Sequence, residues 1–158
     1  MKSKLILPNK YKKIGWIILI PAVILGIYSI TTRFELNLLN AKVFAIFSDE
    51  ILESTKHLSF ITTNITNTII GVLFILGALL VGFSKEKKED EFIAEIRLSA
   101  LLWAVAVNYI FLIIAFLFIY GTPFIDVMVY NMFTILILFI ARFQYILYRN
   151  SKSVSDEK

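Results

Sequence analysis

Few side chains in this sequence can do chemistry. It has one histidine and no cysteine among 158 residues. Without cysteine there are no disulfides, thiolate metal sites or dithiol redox chemistry. With only His57, a multi-histidine metal or haem site cannot form within one subunit. The sequence has no Walker motif, glycine-rich phosphate loop or nucleophile elbow, and no paired carboxylates expected at the membrane surface with metal-ligand spacing. It reads as a non-enzymatic chain, with no catalytic residue, cofactor or metal assigned.

What remains is a small set of charges and amides placed among apolar runs. Glu91, Glu95, Arg97 and Arg142 form one candidate cluster. Counting back from the turn at Gly121-Thr122-Pro123 sets Arg142 near the level of Leu101, about a turn from Arg97. From there it can reach Glu91 or Glu95, or extend to a membrane surface. Asn108 lies mid-run, and Asn131 and Thr134 lie at matching depth beyond the turn. A contact between Asn108 and either of them would join the two segments, with about 0.6–2 kcal/mol of stabilisation in lipid. The same amides, shared between subunits, would line a polar path. Asp126 follows Pro123 at the outer interface, where it is expected to be solvated or to cap the start of the fourth span. Asn64-Ile65-Thr66 matches a glycosylation sequon, a short pattern that also suits hydrogen bonding to the preceding loop.

These residues are set in a chain that is 58% hydrophobic and 18% charged. A soluble domain of this length has too little interior for so much apolar surface. Four apolar runs, Ile14 to Thr31, Ile61 to Phe83, Leu98 to Tyr120 and Phe124 to Leu147, each approach the ~20 residues that an α-helix needs to cross a bilayer. In lipid the backbone must satisfy its own hydrogen bonds, so helices are expected despite the many β-branched residues. The first run has basic residues before it but no A-x-A-like site after it, and reads as an uncleaved span. The fold class that follows is all-α: one polytopic transmembrane domain over residues 1–158, with four helices in two antiparallel hairpins.

Orientation follows from lysine and arginine. Residues 1–13, 84–97 and 142–158 together carry thirteen, and residues 32–60 carry three. Both ends are therefore expected in the cytoplasm. This also accounts for the net charge of +4 without a nucleic-acid partner. The outer loop, 32–60, is expected to lay Leu36, Leu38, Leu39, Val43, Phe44, Ile46 and Phe47 along the headgroups as an interfacial helix, with Asp49, Glu50 and Glu53 facing water. In the inner loop, 84–97, the third helix is expected to begin near Glu89, with acids in its first turn. Small residues mark the packing faces. Ala22 and Gly26 in the first span are expected to meet Gly71, Ala78 and Gly82 in the second, or else to pair two copies of the chain. Pro21 should kink the first span.

The segment Lys87-Lys88-Glu89-Asp90-Glu91-Phe92-Ile93-Ala94-Glu95-Ile96-Arg97, with Asn108-Tyr109 and Tyr130-Asn131-Met132-Phe133 beyond it, resembles small uncharacterised four-helix integral membrane proteins of bacteria, particularly Bacteroidota. The resemblance covers residues 84 to 147. It implies a bacterial cytoplasmic membrane and, because such proteins are often encoded beside small helix-turn-helix regulators, a regulatory or sensory role. The expectation is an accessory membrane protein that docks a cytoplasmic or membrane partner. An oligomeric transporter or channel is the alternative, and a membrane-embedded lipid enzyme the third reading.

Overall fold

A computed structural model of the chain describes residues 6–32, 36–48, 56–87 and 89–156. Lys2, Lys4, Arg33, Asp49, Glu50, Glu53, Lys88 and Lys158 lie outside the described residues. The elements run α1 (Lys10–Thr31), β1 (Asn40–Ser48), β2 (Lys56–Asn64), α2 (Thr66–Gly82), α3 (Glu91–Phe118) and α4 (Thr122–Asp156). Four helices carry the fold. Three of them, α1, α3 and the Thr122–Asn150 part of α4, are long and apolar enough to cross a membrane. They expose many large apolar side chains, with Ile17 72% and Phe118 76% exposed. α1 runs unbroken through Pro21.

Two expectations are corrected between α1 and α2. The connection holds two antiparallel strands, not an interfacial helix, paired from Asn40↔Asn64 to Ser48↔Lys56. The second helix also starts later than the apolar run, because residues 61–64 belong to β2. Local residues permit the ribbon, and the pairing of the two strands selects it. Ile61, Thr62 and Thr63 are β-branched and suit a pleated ribbon, and Asn64 then stops the strand. Its side-chain carbonyl accepts from the Thr66 N–H at 3.0 Å, and its amide donates to the Leu36 carbonyl. This leaves α2 with 17 residues, about 25 Å of helix.

The chain divides into two compact units, Met1–Leu19 with Ile75–Lys158, and Ile20–Phe74. In the smaller unit the second half of α1 meets the first half of α2. Ser29 donates from its hydroxyl to the Asn67 side-chain oxygen at 2.6 Å, and Gly26 lies opposite Ile70. Ala22, Ser29, Thr66, Ile70 and Phe74 are buried. The Thr66 hydroxyl accepts from the N–H groups of Leu38 and Leu39, each at 3.1 Å, which ties the approach to β1 onto the helix start.

In the larger unit the α1 and α2 backbones come very close. A Cβ added to Gly77 would stand 2.9 Å from the Leu19 nitrogen, and one added to Gly15 would stand 2.8 Å from the Val81 nitrogen. Gly82, expected to face the first span, is instead covered by the ring of Phe139 on α4. Ala78 is buried and Gly71 half-buried. α3 buries Ile96, Ala100, Ala104, Asn108 and Ala115; the first four are spaced i, i+4 on one face. α4 packs against α3 and brings in Phe139 and Phe143, the largest fully buried side chains, whose centroids lie 6.1 Å apart. Gly121, at φ +74°, makes the turn between the two helices, and Pro123 sits in the first turn of α4, where its missing N–H costs nothing.

Gly77→Ala should therefore overpack a backbone contact and destabilise the detergent-solubilised protein by about 1–3 kcal/mol. Gly26→Ala, with its nearest neighbour at 3.9 Å, should be neutral or better. Equal thermal unfolding midpoints for the two variants would refute the close approach.

Candidate functional site

The polar residues of the larger unit gather where α2 ends and α3 begins. Leu7 bridges to Ser84: its N–H donates to the Phe83 carbonyl at 2.9 Å, and its carbonyl accepts from the Lys85 N–H at 2.8 Å. Asn9 donates to the Lys85 carbonyl at 2.6 Å, and Lys12 forms an ion pair with Glu86. The segment before α1 is thereby held along the segment after α2. Asp90 caps α3, its carboxylate accepting from the Ile93 N–H at 2.9 Å; this satisfies a donor that the helix leaves open.

Arg97 lies at the centre of this arrangement, 7% exposed. Its two terminal nitrogens donate to the two Glu89 oxygens at 2.7 and 3.1 Å. The second also reaches the Ser84 carbonyl at 3.2 Å. The guanidinium lies 5.0 Å above the Phe143 ring. A planar fork on a carboxylate, backed by an aromatic face, is a geometry that arginine fits and lysine does not. Burial raises the Glu89 pKa, but the Arg97 hydrogen bond, the Glu86 N–H at 2.8 Å and the charges of Arg97 and Lys85 outweigh it, so the pKa lies below the ordinary value of 4.5.

The four charges expected to cluster do not come together as one group. Arg97 takes Glu89, a residue the sequence reading left out. Arg142 lies over the Trp103 ring at 4.7 Å. Glu91 and Glu95 are exposed, and neither has an ion pair among the described residues. The reason is that Glu89 precedes the helix cap, where helical spacing no longer dictates direction. The chain turns there and aims its carboxylate back along α3. The signal available in the sequence was Asp90, a cap-type residue that separates Glu89 from the helix.

Asn108 and Asn131 face each other across α3 and α4 and exchange hydrogen bonds at 3.3 and 3.2 Å. Asn108 is buried and Asn131 half-buried. Thr134 does not join them, because its hydroxyl donates to the Tyr130 carbonyl of its own helix at 2.9 Å. Asp126 is exposed. Asn64 of the sequon engages both ends of its amide locally. His57 stands on β2 opposite Phe47. Gly15 and Gly77, which let the α1 and α2 backbones come close, were missed because neither forms a small-xxx-small pair within its own helix.

Searches against protein families, curated proteins and solved structures return no match.

Two measurements test the geometry. Glu89→Gln should destabilise the fold by about 2–3 kcal/mol at pH 7, since it leaves a buried guanidinium without its counter-charge. The Glu89 pKa is lower in the folded state, so its contribution is complete above the unfolded value near 4.5 and is lost as pH falls through the folded value. The gap between wild type and variant should close at acid pH; a gap constant down to pH 2 would mean that the charge is not the source. For the amides, a double-mutant cycle with Asn108→Leu and Asn131→Leu should give a coupling of about 0.6–1.7 kcal/mol, whereas additive effects would show that the two do not interact.

Proposed function

We propose that this chain is a multi-pass protein of the bacterial cytoplasmic membrane, with four spans in two antiparallel hairpins and both ends in the cytoplasm. The apolar outward faces of α1, α3 and α4 support this, as does the concentration of lysine and arginine at the ends assigned to the inside. α2, at 17 residues, is at the short end of the spanning range and suits a helix packed against longer ones.

Its role in this reading is accessory: it docks a cytoplasmic or membrane protein and takes part in regulation or sensing. The observation that carries this is the exposed pair Glu91 and Glu95 at the start of α3. The two are one turn apart on a helix start fixed by the Asp90 cap and by the pairing of Arg97 with Glu89. A rigid acidic ledge, without an ion pair among the described residues, offers a steering and docking surface to a basic partner. The Asn108–Asn131 pair closes on itself, which favours helix packing over a polar path and ranks the transporter reading second.

The test is a mild-detergent pull-down from native membranes with the native mass of the complex. A near-stoichiometric partner should be recovered with wild type and lost at least tenfold with Glu91→Lys/Glu95→Lys. Undiminished recovery with the double variant would remove the ledge from the interface, and a homo-oligomer that carries ions or solutes in liposomes would favour the transporter.

A further inference from the structure

A groove of about 570 Å³ opens beside the start of α1 in the larger unit. Its lining is ordered in a way that the partner-docking role does not use. Lys12, Lys13 and Lys87 line it, with Glu86 the one acid among the lining residues. Glu86 is already paired with Lys12, so two positive charges remain, and both Lys13 and Lys87 are exposed. Trp16, Ile93 and Leu147 supply the apolar wall. Trp16 lies four residues after Lys12 and three after Lys13, on the same side of the helix and one turn deeper. The surface of the groove is almost wholly apolar, so the lysines line it chiefly through their aliphatic stems, and Lys13 and Lys87, both exposed, can carry their ammonium heads at its mouth.

The rim is held in place. Asn9, also in the lining, donates to the Lys85 carbonyl, and the backbone bonds between Leu7, Phe83 and Lys85 fix the segment that carries it. A free inorganic anion would use the lysines and leave the indole and the two aliphatic side chains unused. An amphiphile with a phosphate head and a hydrocarbon tail uses both mouth and wall, and tryptophan is the residue favoured where head and tail meet.

We infer that this groove is a binding site for an anionic phospholipid of the inner leaflet, with the headgroup phosphate between Lys13 and Lys87 and an acyl chain along Trp16, Ile93 and Leu147. The inference rests on the membrane reading above. It does not rest on the docking ledge, which is formed by different residues.

The full chain carrying Trp103→Phe, so that Trp16 is its one indole, is reconstituted in phosphatidylcholine vesicles. These contain either bromine-labelled phosphatidylglycerol or bromine-labelled phosphatidylcholine, and indole quenching is followed. Half-maximal quenching is expected at an about tenfold lower mole fraction of the labelled phosphatidylglycerol, since each lysine at the surface attracts an anionic lipid severalfold. Lys13→Gln/Lys87→Gln should abolish this preference, and Lys13→Arg/Lys87→Arg should retain it, which separates loss of charge from loss of fold. Equal quenching by the two lipids in a chain that floats with the vesicles overturns the site alone. So does a preference that survives the glutamine pair, or one that millimolar inorganic phosphate abolishes at constant ionic strength. A chain that does not float with the vesicles overturns the membrane reading and the site together.

Discussion

A buried guanidinium must have its charge and most of its donors satisfied, and Arg97 draws three other parts of the larger unit into meeting that demand. Ser84 just after α2 supplies a backbone carbonyl, Glu89 in the connection supplies a carboxylate, and Phe143 on α4 supplies an aromatic face. Glu89 lies eight residues before Arg97 and Ser84 thirteen, and Phe143 comes from another helix. Desolvating an ion pair costs several kcal/mol per charge, so the arrangement adds little net stability over an apolar substitute. Its consequence is specificity: an α3 shifted by one turn would leave the charge unmatched.

Hydrophobic burial cannot choose partners among helices that are apolar on nearly every face. In the proposed bilayer it would not drive them together at all, and close packing takes over that role. The contacts reflect this. Gly15 and Gly77 let two backbones approach to distances that any Cβ would block. Gly82 makes room for the Phe139 ring, and the Ala100 and Ala104 face of α3 is buried where α3 and α4 pack. Small residues set where the helices touch, and the Asn108–Asn131 bonds fix the depth at which α3 and α4 align.

Some of this was legible in the sequence. Apolar runs of span length identify four helices, and the short Gly121-Thr122-Pro123 connection identifies a sharp turn with a helix beyond it. Equal depth from that turn is enough to place Asn108 opposite Asn131. The ribbon was not legible in the same way. Val43 and Phe44 and the Ile61–Thr63 stretch suit an apolar helix face and a pleated strand about equally, and only their mutual pairing decides between the two. The partner of Arg97 was obscured for a related reason: Glu89, Glu91 and Glu95 are chemically equivalent, and helical spacing favours the last two.

Composition and hydrophobic run length alone determined that this is a helical, strongly apolar chain without thiol or multi-histidine chemistry, because those properties depend on residue counts and local periodicity. Tertiary structure decided which acid neutralises Arg97, which glycines carry the closest contacts, and that Lys13 and Lys87 share a groove with Trp16 and Leu147. The glycine contacts and the groove bring together residues far apart in the chain, whereas the Arg97–Glu89 pair spans eight residues and depends on the turn before the helix cap. The direction in which a side chain leaves a capped helix start, and the face that one helix turns to another, are set by packing that no local pattern encodes.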